Sequence, residues 1–168
     1  SANLIKFPVT QGSDEPYSLL RSGMGLYVAQ SGLIGKQGPD ASATGRPVYT
    51  AQQSAYQLNG DTLVVPLTWK NSQGLSITKT FTFTQGHYDV NVSYDVQNAT
   101  STAANVQPYA QLKQVMDFED DGNMFMPTYR GAAFSTEDDR YDKYSFDEIE
   151  DENLRKTTKA GWVGMLEH

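Results

Sequence analysis

Between Leu63 and Gln97 apolar and polar residues alternate with a period of two through three consecutive segments. Leu63, Val65, Leu67 and Trp69 share one side of the first. Asn71-Ser-Gln-Gly74 then supplies turn residues, and Leu75, Ile77, Phe81 and Phe83 line one face of the second against Ser76, Thr78, Thr80, Thr82 and Thr84. After Gln85-Gly86 the third segment sets Tyr88, Val90, Val92, Tyr94 and Val96 against Asp89, Asn91, Ser93, Asp95 and Gln97. Successive side chains of a strand point to opposite sides, so this pattern predicts half-buried antiparallel strands joined by short turns. A helix would need apolar spacings of three and four, which these segments lack.

Outside this meander the pattern is coarser. Leu4–Val9, Leu26–Ala29, Ala55–Leu58 and Val106–Met116 each fit a strand, and Ser31–Pro47, with four glycines and two prolines, fits a long surface loop. The edges near Leu4–Val9 and Trp162–Leu166 are expected to be open to further strands. One helix is expected, starting at Ser145, where Ser145-Phe-Asp-Glu148 matches a capping box. It should end within two turns, before Asn153. Many short strands and one short helix predict an all-β sandwich or barrel, and 168 residues without a long linker predict a single domain over 1–168.

Charge changes this picture locally. The net charge of −7 hides a stretch from Asp117 to Glu152 with thirteen acids against Arg130, Arg140 and Lys143, while the rest of the chain carries seven acids and ten bases. There is no basic stripe to neutralise phosphates, so nucleic acid is not an expected partner. The acidic stretch suits either a solvated face or a docking surface for a basic partner. Cysteine is absent, which excludes thiol chemistry and disulfides. No apolar run approaches the roughly 20 residues of a spanning helix.

Candidate chemistry is sparse. His87 lies in a turn and His168 at the end of the chain, so no acid–base pair is placed for sugar chemistry. Asp117-Phe-Glu-Asp-Asp-Gly-Asn123 echoes the start of a calcium loop, but Thr128 stands where a bidentate glutamate is needed, so no metal and no cofactor are expected. Tyr129, Arg130, Tyr141, Tyr144, Phe146 and Trp162 combine aromatics with arginine, the composition of interface anchors, and form the candidate partner-binding set. The competing reading places Phe146 and Trp162 in the core and ties Arg130 to a neighbouring carboxylate.

Thr128-Tyr-Arg-Gly-Ala-Ala-Phe-Ser-Thr136, Tyr141-Asp-Lys-Tyr-Ser-Phe-Asp147 and Lys159-Ala-Gly-Trp-Val-Gly-Met-Leu166 follow one another in this order. Ahead of them stand Gln30-Ser-Gly-Leu-Ile-Gly-Lys-Gln-Gly-Pro-Asp40, Lys79-Thr-Phe-Thr-Phe83, Tyr88-Asp-Val-Asn-Val92 and Gln111-Leu-Lys-Gln114. Together these strings resemble the large periplasmic domain of the YidC membrane-protein insertases of Gram-negative bacteria, from about Leu4 to Leu166, truncated at both ends. Ser1-Ala2 and Leu166-Glu-His168 match common vector-derived ends.

The resemblance implies a β-supersandwich of the galactose mutarotase-like class and a place in the periplasm, as part of an inner-membrane protein. It implies a non-enzymatic accessory module for membrane-protein insertion, with SecDF (through SecF), the Sec translocon and substrate membrane proteins as partners. In the family, the stretch matching Tyr129–Trp162 is the part implicated in contacting SecF. The alternatives from other classes are a sugar- or polymer-binding sandwich and, further off, a mutarotase-like epimerase.

Overall fold

The computed structural model describes residues 2–43, 45–115, 129 and 131–166. In chain order these form β1 (Ala2–Pro8), β2 (Pro16–Leu20), β3 (Tyr27–Ile34), a 3-10 turn (Pro39–Ala41), β4 (Thr50–Ala51), β5 (Thr62–Lys70), β6 (Leu75–Thr84), β7 (Val90–Asn98), β8 (Gln107–Gln114), β9 (Gly131–Ser135), β10 (Asp142–Ser145), α1 (Phe146–Asp151) and β11 (Trp162–Leu166). The described chain is all-β apart from these two short helical segments. It divides into two compact units, one of residues 31–109 and one of residues 1–30 with 110–168.

In the unit of residues 31–109 the meander is present as a sheet in the order β4-β5-β6-β7. Its register pairs Leu63 with Phe83, Val65 with Phe81 and Trp69 with Ile77, then Phe81 with Val92 and Ile77 with Val96, so the apolar sets fall on one face. Asn71 fixes the first turn by accepting from the amides of Gln73 at 3.0 Å and Leu75 at 2.9 Å. Leu33, Leu75 and Ile77 are the buried core, with Tyr49, Trp69, Tyr94 and Ala104 packed around them.

Lys79 interrupts the apolar face of β6, opposite Leu67 on one side and Tyr94 on the other. Its ammonium donates to the Ser31 carbonyl at 2.8 Å and stands 5.0 Å and 5.5 Å from the Phe81 and Tyr94 ring centres. The Tyr94 hydroxyl donates to Ser31 Oγ at 3.0 Å. Half-buried, the charge is satisfied by a carbonyl and two aromatic faces.

Within the string Gln30–Asp40 one contact ties the two ends together. Asp40, in the 3-10 turn, accepts from the Leu33 amide at 2.8 Å. Its carboxyl lies directly against Gly32, where a β-carbon would overlap it.

Two expectations need correction here. Ser31–Pro47 is not all loop: β3 runs on to Ile34, because it pairs with β8 and places Leu33, 2 % exposed, in the core. Ala55–Leu58 is not a strand: among the described residues no partner strand flanks it, and the chain turns at Gly60 (φ 88°) before β5 begins. β2 and β4 were not expected, nor were β9 and β10, since strands of two to five residues are too short to show a period. β2 and β4 exist through pairing with β1 and β5.

Tyr49 carries the one strongly displaced ionisation of this unit. Burial first, then the charges of Asp40, Tyr94 and Tyr109, push its hydroxyl up from 10.0 to about 12. The hydroxyl oxygen is buried and has no hydrogen-bond partner among the described residues. A phenol whose folded value exceeds its unfolded one resists ionisation only in the native state, so stability declines as pH rises from 10 towards 12. Tyr49→Phe should flatten that decline and leave stability at neutral pH unchanged or slightly raised, as read from urea melts across the pH range.

Candidate partner-docking site

In the other unit, β9 is the central strand of a three-stranded antiparallel sheet, β10-β9-β11. Its register sets Ala132 beside Tyr144 and Met165, and Phe134 beside Asp142 and Val163, all on one face. Ala133, 1 % exposed, points to the other. The β9–β10 hairpin is closed by Thr136, whose hydroxyl accepts from the Asp139 amide at 2.9 Å while its own amide donates to the Asp139 carbonyl at 2.7 Å.

Helix α1 starts where the capping box places it. The Ser145 hydroxyl accepts from the Glu148 amide at 3.3 Å, and the Glu148 carboxylate accepts from the Ser145 amide at 2.8 Å. Bonds from the Ser145 side chain and then its backbone hold the Glu148 carboxyl below 4.5. A depressed folded value means that the carboxylate's contribution is present above about 4.5 and lost as pH falls through the folded value. Protection of the α1 amides, taken relative to the intrinsic exchange rate at each pH, should therefore fall on acidification, and Glu148→Gln should remove that pH dependence. Ser145→Ala should cost about 1 kcal/mol at neutral pH.

The candidate anchors separate into distinct roles. Phe146, 8 % exposed, is core. The Tyr144 hydroxyl donates to the Glu152 carbonyl at 2.7 Å, fastening the chain that leaves α1, and its ionisation is pushed up by desolvation and by Glu152, Glu148 and Asp151. Tyr129 donates to the Ala132 carbonyl at 2.8 Å beneath the Lys143 ammonium, which stands 4.5 Å from its ring centre. Desolvation raises its ionisation too. Gly131 (φ 152°) is required beside it, since a β-carbon there would come within 2.7 Å of the Tyr129 hydroxyl and of the Tyr144 carbonyl.

Tyr141 and Trp162 are what remains open. They are 58 % and 51 % exposed, and their rings pack against each other at 5.9 Å with a 49° tilt. The core reading of Trp162 does not hold, because the residue is half-exposed at the start of β11, which among the described residues pairs with β9 alone. Arg130 and the acidic loop Asp117–Asn123 lie outside the described residues, as does His168. No cluster of three metal-ligating side chains occurs among the described residues. His87 is a solvated turn residue, with Nδ1 3.5 Å from Asp89.

Sequence reasoning missed a groove of about 520 Å³ on the Phe134 face, lined by Phe134, Tyr144, Ile149, Leu154, Lys156 and Val163 among others. Lys156 donates to the Asp139 carboxylate at 3.0 Å and stands 5.8 Å from the Phe134 ring centre. The Lys156 ammonium, with help from Thr136, holds the Asp139 carboxyl below its ordinary value, and the same bond raises Lys156. Lys156 sits 17 residues from its partner, so no local pattern announces the pair.

A family model of the YidC periplasmic domain matches residues 1–168. The chain belongs to the YidC periplasmic domain family. It is similar to the membrane protein insertase YidC of Pseudoalteromonas atlantica, at 50 % identity over all of this chain and 31 % of the relative. The YidC insertase of Aeromonas hydrophila is 48 % identical over all of this chain and 32 % of its own length, and that of Shewanella frigidimarina 46 % over 99 % and 31 %. The chain thus spans about a third of the relatives it matches. As a YidC periplasmic domain it lies on the periplasmic side of an inner-membrane protein. Among its described residues no helix is long and apolar enough to cross a membrane.

Proposed function

We propose that this chain is a non-enzymatic accessory domain of a YidC-type insertase, supporting membrane-protein insertion and folding by docking a partner on its acidic, aromatic half. SecDF, through SecF, is the proposed partner, with the Sec translocon and substrate membrane proteins beside it. The observation that carries the reading is the exposed Tyr141–Trp162 pair next to the residues 137–152, where nine acids face two bases. Aromatic anchors ringed by charge are how interfaces combine steering with desolvated contact. The continuous family match over residues 1–168 supports treating both units as one domain; a galactose mutarotase-like supersandwich is our proposal for its class. The test is retention of a purified SecDF periplasmic domain by immobilised chain. Retention that is lost with Trp162→Ala supports the reading; no retention refutes it.

A second reading has one observation behind it. A groove of about 640 Å³ on β4 and β5 is bordered by Trp69, which also packs on the core, and by Val48, Thr50, Ala51, Gln52, Thr68 and Lys70, a mixed lining in which an indole beside polar groups suits a sugar ring. Saturable quenching of tryptophan fluorescence by sugars or polysaccharide, abolished by Trp69→Phe, would favour it. Sugar anomerisation would need a general acid and base, and exposed His87 beside Asp89 encloses no ring.

A further inference from the structure

The segment 152–158 crosses the Phe134 face of the β10-β9-β11 sheet like a strap. It is fastened at one end by the Tyr144 hydroxyl on the Glu152 carbonyl and at the other by Lys156 on Asp139 and the Phe134 ring. Between these ties Asn153, Leu154 and Arg155 make no hydrogen bond to any other described residue. All three residues are exposed, and Asn153 and Leu154 line the groove, whose floor is apolar. Val163 on that floor is 72 % exposed and Leu154 on the strap 41 %, so two large apolar side chains border a space that neither fills. A volume of about 520 Å³ falls within the range of ligand clefts, roughly 300–1,000 Å³.

We propose that this groove receives an extended peptide segment carrying a large apolar side chain flanked by lysine or arginine. The apolar side chain occupies the space between Phe134, Val163 and Leu154. The peptide's backbone pairs with the free amides and carbonyls of 153–155, as an added strand pairs with an unpaired edge. Charge selects the flanking residues: α1 supplies Asp147, Glu148, Glu150 and Asp151, and over 137–159 nine acids stand against Arg140, Lys143, Arg155, Lys156 and Lys159, with Lys156 already tied to Asp139. The same charge turns away an anionic lipid surface, which an apolar groove alone would not distinguish from a peptide. The proposal rests on the docking reading above and sharpens it: Trp162 also lines the groove, so the anchor extends from Trp162 inward to Phe134, Val163 and Leu154, leaving Tyr141 outside.

The test uses the whole chain and a fluorescein-labelled decapeptide with a central Leu-Phe-Leu between Lys-Lys pairs, alongside its Glu-Glu counterpart and phosphatidylglycerol vesicles. The lysine peptide should bind, the glutamate peptide and the vesicles should not, and amide exchange at 153–155 should slow on binding. Val163→Asp and Leu154→Asp, both at exposed positions, should each weaken binding by about tenfold or more. Tyr141→Ala, which does not line the groove, should change it less than about twofold. Unchanged binding to both aspartate variants, loss confined to Tyr141→Ala, vesicle binding in place of peptide binding, or no binding at millimolar peptide overturns the groove proposal. Retention of the SecDF domain by the wild-type chain decides the docking reading separately, so the two can fail independently.

Discussion

Gly32→Ala is expected to destabilise the chain by about 3 kcal/mol. The added methyl overlaps the Asp40 carboxyl, which must swing away and abandon the Leu33 amide. Overpacking of this kind costs roughly 1–3 kcal/mol, and a part-buried amide left without its acceptor adds about 1–3 more. Leu33 belongs to the small core with Leu75 and Ile77, so its strand cannot shift to make room without loosening that cluster. Asp40→Ala should lose only the hydrogen-bond share, and Asp40→Asn, which keeps an acceptor, less still. Urea denaturation of the three variants checks the order. Equal stability of Gly32→Ala and the wild type would show that the Asp40 contact does not hold β3 in place.

The second large effect concerns binding. Trp162→Ala should weaken association with the SecDF periplasmic domain by about 2 kcal/mol, roughly 30-fold, through faster dissociation. Its ring packs against Tyr141 at a tilt and both are half-exposed, so truncation removes contact area without opening the core. Neutralising Asp138, which is exposed, should cost well under 1 kcal/mol and act on the association rate. Tyr144→Ala is a different kind of change, because it frees the Glu152 carbonyl and so releases one end of the strap.

How much of this was legible in the sequence depends on how local each cause is. The meander showed itself because a period of two over nine or ten residues has no other reading, and the capping box at Ser145 because Ser145 and Glu148 satisfy each other within four residues. Lys79 was passed over as an interruption. Its partners, Ser31 and Tyr94, lie 48 and 15 positions away, and only the register brings them to it. Ala55–Leu58 failed for the opposite reason: local composition suggested a strand, but a strand needs a neighbour. In the candidate site the sequence marked the right stretch and the wrong division of labour. Phe146 and Trp162 look alike as aromatics among acids, yet one is the buried first residue of α1 and the other the half-exposed first residue of β11. The groove was invisible because it is made by a strap with no periodic signal and a lysine tied back across 17 residues.

The docking claim is tested most directly by the rate at which this chain associates with the SecDF periplasmic domain as salt rises. The acidic stretch should steer the encounter, so the association rate should fall steeply as the screening length shortens from about 30 Å at ~0.01 M to about 3 Å at ~1 M, while dissociation changes little. An association rate indifferent to salt, or no association at any salt, would contradict the account.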